Sequence, residues 1–351
     1  MRGPPWPPPE GDDPTAPPAR RATGGGVDTG RNLAEDPPTV NRNPIGEGSQ
    51  GRGRPMPNRI VVTGASGQLG SYVLDRLEGT AREVVGWSRS TGGHRGRIPI
   101  VPVDLADPGA LAAALDRDDP GAILHLAAVS RVDEARDNPE RARRINVEAT
   151  GEIADWASRR GRRLVFASTD LVFDGSRPWW REEDPAEPIL AYGRSKREGE
   201  RAVLRHPGLL VARIGLLYGP SRCGRPTSLD CLLDALRRGE RRALFEDEFR
   251  TPLDYATAAE ALVLLLDRSD AIGIVHVAGA ARVSRFELLR RLASREGMPA
   301  DLIVPNRQAD SPGPEPRPAD VSLDTTRLAE WLPGLDRPAL EEGLERCRRW
   351  G

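Results

Sequence analysis

Arg59-Ile-Val-Val-Thr63, running into Gly64-Ala-Ser-Gly67-Gln-Leu-Gly70, is a β-branched run that ends in regularly spaced glycines. The run has the composition of a strand. Behind the glycines, Tyr72, Val73, Leu74 and Leu77 recur at helical spacing. Strand, glycine turn and helix in that order predict a phosphate-binding unit. Gly64 permits the tight turn, Gly67 lets the backbone approach a pyrophosphate, and Gly70 lets helix pack on strand. The amino end of the helix offers free N–H groups and the positive end of its dipole to an anion.

Outward from this unit the pattern repeats. Glu83-Val-Val-Gly-Trp87 reads as the next strand and ends in Ser88 and Arg89. An acid at that point would bond a ribose 2′-hydroxyl, whereas Ser88 and Arg89 suit a 2′-phosphate, which predicts NADPH over NADH. The competing reading is that Arg89 is merely one of many arginines. Ile98 to Val103 is a third strand, closed by Asp104-Leu105. Asp107-Pro108 then has the form of an N-cap with proline at the first helical position. Ala122 to Leu126 is a buried parallel strand that runs into the small residues Ala127 and Ala128, with His125 packed rather than serving as a base. A long helix over 139–159 carries Asn146. Leu164 to Thr169 is a further strand whose carboxyl end presents Ser168, Thr169 and Asp170.

This alternation predicts an α/β fold, a Rossmann-like doubly wound parallel sheet over residues 58–214. Residues 215–351 read mainly as a small C-terminal substrate-binding lobe, with some segments returning to the sheet. Helices are expected near 229–238, 256–266, 286–295 and 340–350, and a strand over 273–277. Residues 1–57 hold thirteen prolines and almost no aliphatic side chains. They are expected to be a disordered tail, unless Met56 is the true start.

Tyr192-Gly-Arg-Ser-Lys196 carries the chemistry. Lys196 is the only lysine in the chain. Positions i and i+4 share a helix face, so phenol and ammonium can point at one volume. Arginine's planar fork could not replace the compact ammonium. A neighbouring ammonium favours phenolate and is expected to lower the tyrosine pKa toward neutrality. The spacing alone also fits two exposed side chains on a polar helix. The absence of lysine elsewhere favours the chemical role.

The totals exclude several classes. A net charge of −1 gives no electrostatic reason to bind nucleic acid or an anionic membrane. Three dispersed cysteines fit free thiols in a reducing, cytoplasmic compartment. The four histidines show no metal spacing, and no metal is expected. No apolar run is long enough to span a bilayer.

Taken together, GASGQLG (64–70), DL (104–105), HLAA (125–128), STDLVFDG (168–175), YGRSK (192–196) and RIGLLYG (213–219) resemble the extended short-chain dehydrogenase/reductase superfamily. Within it they look most like dTDP-4-dehydrorhamnose reductase and its sugar-nucleotide relatives. The resemblance implies NADPH-dependent reduction of a nucleotide-linked 4-keto-6-deoxy sugar, with NADH also possible. It implies Thr169 as hydrogen-bond donor to the substrate carbonyl, Tyr192 as proton donor and Lys196 on the nicotinamide ribose. The cofactor would lie on Gly64, Ser66, Gly67, Gln68 and Leu69, with Ser88 and Arg89, Asp104 and Leu105, and Ala127 and Ala128 around it. Ser130, Thr169, Asp170, Arg250 and Arg317 would face the substrate, the two arginines either gripping a diphosphate or serving structure.

The chain departs from the reductases at Leu216, at Tyr72 and at Arg250, the last where many of them carry a smaller residue. Leu216 stands where the reductases carry a tryptophan. Tyr72 stands where metal-bridged dimers use a glutamate, so a monomer or weak homodimer is expected. Leu171 stands where dehydratases place a glutamate after the Thr-Asp pair. An epimerase and a non-catalytic NADP-binding regulatory subunit, like the β subunit of methionine adenosyltransferase, are the competing functions. Residues 176–190, with Trp179 and Trp180, form either a lip over the substrate or plain packing.

Overall fold

A computed structural model describes residues 58–89 and 92–347. The expected tail and the possible start at Met56 lie outside the described residues. The opening run forms β1 (Arg59–Thr63), followed by α1 (Gln68–Leu77) and β2 (Glu83–Ser88). A short hairpin strand β3 (Gly93–Arg95) precedes β4 (Ile98–Pro102), α2 (Pro108–Asp118) and β5 (Ala122–His125). Asp107 caps α2 as its sequence promised, its carboxylate accepting from the N–H groups of Gly109 and Ala110.

Next come α3 (Val132–Asp137), α4 (Pro139–Arg143) and α5 (Thr150–Arg159), the last two joined by a π-helical turn over Arg144–Ala149. The expected single helix over 139–159 is therefore continuous but carries a bulge. Then follow β6 (Arg163–Thr169), α6 (Ala191–Leu204) and β7 (Leu210–Ile214).

The strands order as β12-β7-β6-β5-β1-β2-β4-β3, where β12 is Gly273–Val277. All neighbours are parallel except β3 with β4. From β1 the chain moves outward through β2 and β4. It then returns to β5 on the other side of β1 and moves the opposite way. A doubly wound sheet opens its crevice at this reversal, beyond the strands' carboxyl ends. Successive residues of β1 face opposite ways. Ile60 and Val62 pack with Leu74 and Leu77 of α1, while Val61 packs with Leu111 of α2 and Ile153 of α5. Burial on both faces explains why the strands read as unbroken apolar runs.

Beyond β7 the short strand β8 (Leu217–Tyr218) leads to α7 (Ser228–Arg237), β9 (Arg242–Phe245), β10 (Phe249–Arg250), β11 (Leu253–Asp254) and α8 (Tyr255–Asp267). After β12 come β13 (Val283–Ser284), α9 (Arg285–Arg295), β14 (Ile303–Asn306), α10 (Thr326–Trp331) and α11 (Leu340–Arg346). Leu233, Leu236, Leu288, Leu292, Ile303 and Leu344 form the core of a smaller lobe. α8 packs instead on the sheet through Ala258 and Leu262. Among the described residues no helix is long and apolar enough to cross a membrane.

Trp180 is 5% exposed and stacks on Phe173 with centroids 4.5 Å apart. Its indole N–H donates to the Asp320 carbonyl at 2.9 Å. It is a packing residue, the second of the two readings its segment allowed. An indole with a buried partner for its N–H satisfies both halves of its chemistry inside the protein.

Glu200 of α6 and Arg213 of β7 form a bidentate pair, both bonds 2.9 Å, with exposures of 0% and 1%. Ser168 Oγ donates to the same carboxylate at 2.6 Å. The pair fastens α6 to two strands. Removing one member strands a charge in the core. Glu200→Ala should therefore cost about 3–5 kcal/mol in urea unfolding, whereas the paired replacement Glu200→Leu with Arg213→Met should cost far less.

Candidate active site

The cradle is built by close approach. Gly64 has φ +68°, and a Cβ there would lie 2.8 Å from the Ala127 nitrogen. A Cβ on Gly70 would sit 2.2 Å from the Gly64 carbonyl oxygen, so α1 can start this close to β1 only with glycine at that position. The N-cap Gly67 supplies no side-chain hydrogen bond. The first residues of α1 thus line the cleft with no side-chain cap on their N–H groups, as an anion site requires.

A cleft of about 830 Å³ opens beyond this turn. The turn itself (Gly64, Ser66, Gly67, Gln68, Leu69) forms one side. Ser88 ends β2 and Arg89 follows it, Asp104 and Leu105 follow β4, and Ala127, Ala128 and Ser130 follow β5. Thr169 ends β6, and Tyr192 and Lys196 project from α6. All of these line the one cleft. Asp170, Arg250 and Arg317 are not among its lining residues.

The helix that carries the pair is positioned from several directions. The Ala191 N–H donates to Glu315 Oε1 at 2.8 Å, placing a carboxylate at the positive end of α6. Asn146, wholly buried on the π-helical turn, accepts from the Val129 N–H at 2.8 Å and donates to Ser195 Oγ at 2.9 Å. Ser195 Oγ in turn donates to the Tyr192 carbonyl at 2.8 Å. π-Bulges concentrate at functional sites, and this one aims an amide at the helix of the tyrosine. Nothing in the sequence marked Asn146 beyond its place in a long helix.

Tyr192 and Lys196 are 9% and 2% exposed. Lys196 Nζ lies 4.0 Å from the centroid of Phe166. Burial depresses the lysine to about 7, with Glu200 pulling weakly the other way. Tyr192 moves opposite to expectation. Burial pushes it well above its ordinary range and Asp170 adds to this, while the Thr169 side chain opposes. The predicted lowering by the ammonium is corrected: desolvation outweighs any effect of the neighbouring charge.

Asp170 lies behind Thr169. Its Oδ1 accepts from Thr169 Oγ1 at 3.0 Å, and its Oδ2 has no hydrogen-bond partner among the described residues. Burial raises it to about 6, against the Arg250 guanidinium 3.9 Å away. Arg250 is itself buried. It donates to the Phe249 carbonyl at 2.7 Å and to Glu248 Oε1 at 3.0 Å. The expected diphosphate grip is thus corrected for Arg250, whose donors are used inside the lobe. Arg317 pairs with Glu248 Oε2 at 3.3 Å and lies over Phe245, half exposed.

His125 is structural, as its sequence context suggested. Thr63 Oγ1 accepts from the N–H groups of Leu126 and Ala127, so its own proton goes to His125 Nδ1 at 2.7 Å. Nε2 then carries the ring proton and donates to Thr150 Oγ1 at 3.0 Å. Burial and Lys196 hold this imidazole neutral, near 3.

The lysine's position has a measurable cost. Between about 7 and the ordinary 10.5, the unfolded chain binds a proton that the folded chain does not, so stability rises with pH across that window. Lys196→Met should raise the melting temperature of the cofactor-free protein. The gain should be largest below pH 7 and should shrink to nothing as pH approaches 10.5.

Comparison with known proteins agrees with this geometry. The family model described as RmlD substrate binding domain matches residues 58–349. Methionine adenosyltransferase 2 subunit beta of Bos taurus is 32% identical over 281 residues, 78% of this chain and 82% of the relative. The probable low-salt glycan biosynthesis reductase Agl14 of Haloferax volcanii is 33% identical over 289 residues, 81% of this chain and 95% of the relative. The crystal structure of dTDP-4-dehydrorhamnose reductase from Bacillus anthracis, in complex with NADP, superposes with a TM-score of 0.74 at 26% identity, covering 83% of this chain and 99% of that one. The chain belongs to the RmlD substrate-binding-domain family of extended short-chain dehydrogenase/reductases.

Proposed function

We propose that the protein uses NADPH to reduce the keto group of a nucleotide-linked 4-keto-6-deoxy sugar. One observation carries the reading: Thr169, Tyr192 and Lys196 line the same cleft as the uncapped amino end of α1. The dinucleotide would be held at its phosphates by the turn from Gly64 to Leu69 and at its adenosine end by Ser88, Arg89, Asp104 and Leu105. Bound there, it supplies the hydride.

The chain's own residues handle the proton. Tyr192 keeps its phenolic proton at Oη up to high pH, so it enters the reaction as an acid able to protonate an oxygen as negative charge develops. Lys196 lines the same cleft, and in its ammonium form it stabilises the phenolate left behind. Thr169 donates to Asp170 in the structure. Its hydroxyl must turn from Asp170 to serve the substrate oxygen. Leu171 follows Asp170, leaving no glutamate there for dehydration chemistry.

A second reading is a regulatory subunit that binds NADP without turnover, favoured by the 32% identity to methionine adenosyltransferase 2 subunit beta. An assay separates the two. Purified protein is mixed with NADPH or NADH and with dTDP-, GDP- and UDP-linked 4-keto-6-deoxy sugars, and loss of reduced-nicotinamide absorbance is followed. Turnover with NADPH is expected, and Tyr192→Phe should lower it by about 100-fold or more while NADPH still binds. Binding without turnover on any sugar supports the regulatory reading. Undiminished turnover in Tyr192→Phe removes the proposed proton donor.

A further inference from the structure

The connector from Gly219 to Ser228 crosses back over the glycine turn and is fastened to α1. Gln68 Nε2 donates to the Pro220 carbonyl at 2.7 Å, and Gln68 Oε1 accepts from the Arg222 N–H at 3.1 Å. Tyr72 Oη donates to the same Pro220 carbonyl at 2.8 Å. Arg222 pairs with Asp75 at 2.8 Å and lies over the Tyr72 ring. Within the connector, Ser221 Oγ donates to the Arg225 carbonyl at 2.5 Å.

This fastening delivers a guanidinium to the cleft. Arg225 lines it, and its Nη2 donates to the Ser66 carbonyl at 2.9 Å. The residue before Ser66 is itself tied to the second strand, since the Ala65 N–H donates to the Trp87 carbonyl at 3.0 Å. The turn at Ser66 therefore lies against the carboxyl end of β2, where Arg89 also enters the cleft. Neither arginine forms an ion pair with a carboxylate among the described residues. A guanidinium has five N–H donors, so the bond to Ser66 leaves Arg225 with donors for an oxyanion. The pyrophosphate is already provided for by the N–H groups of α1. The anion available at the end of β2 is the one on the adenosine ribose.

We propose that Arg225, carried in by the connector from the smaller lobe, is the second arm of a 2′-phosphate clamp with Arg89 and sets the preference for NADPH. The inference rests on the dinucleotide reading of the cleft and holds for an enzyme and a regulatory subunit alike.

The test is equilibrium binding of NADPH, NADH, 2′,5′-ADP and ADP to the full chain. Arg225→Gln should weaken NADPH and 2′,5′-ADP roughly tenfold or more and shift NADH and ADP by less than about twofold, as expected for loss of one charge-assisted contact. Equal weakening of all four ligands with unaltered melting overturns the proposal, because the arginine then serves the pyrophosphate or the connector. Unchanged NADPH affinity also overturns it. If Arg225→Gln melts differently, Arg225→Lys is measured instead. That variant should keep the preference for NADPH at reduced strength, and loss of NADH alongside NADPH overturns the proposal. Wild-type protein that binds none of the four refutes the dinucleotide reading and the clamp with it. Wild-type binding that Arg225→Gln matches refutes the clamp alone.

Discussion

The carboxamide of Asn146 ties together two segments that also pack through Val129, Ile145 and Tyr192. Its oxygen and nitrogen hold the backbone of Val129 after β5, and its nitrogen also reaches Ser195 on α6. One buried side chain thereby sets how far the tyrosine helix stands from the strand ends that form the cleft. A fully satisfied buried amide specifies geometry because any displacement leaves a donor or acceptor unpaired at a cost of about 1–3 kcal/mol. Gly199 completes the approach, since a Cβ there would lie 2.4 Å from the Asn146 carbonyl oxygen. The π-helical turn that presents Asn146 breaks the regularity of a helix that its sequence alone would keep straight.

Around that contact the protein concentrates unfavourable electrostatics. A lysine and a tyrosine of the cleft, and the aspartate bonded to Thr169, are buried, each shifted away from its charged form by desolvation. Each shift opposes folding where the solvent would have kept the group ionised. Other buried charges are paired, as Glu200 with Arg213 and Glu248 with Arg250. Paired charges hold elements in register, while under-compensated ones remain able to exchange protons.

Much of this was legible in the residues because it depends on local rules. The strand, glycine turn and helix follow from backbone sterics at Gly64 and Gly70. Asp107-Pro108 is a cap whose geometry needs only its neighbours. Tyr192 and Lys196 line one cleft because four residues make about one helical turn. What escaped the sequence depends on distant partners. Arg250 carries the same charge whether it faces solvent or Glu248, and only the fold decides. The direction of the Tyr192 shift is set by burial, which spacing does not encode. The two-residue strands β10 and β13 are too short to leave a period. Arg225 sits in a connector without pattern, and its importance comes from Ser66, 159 positions earlier.

A sole lysine in a nucleotide cleft also makes the molecule self-reporting. Besides the amino terminus, Nζ of Lys196 is the chain's only primary amine, and with its pKa near 7 much of it is the uncharged nucleophile at neutral pH. Acylating or imine-forming reagents small enough to enter are thereby confined to that cleft. Their rate of attachment reads occupancy there directly, with none of the background that dozens of surface lysines give most proteins.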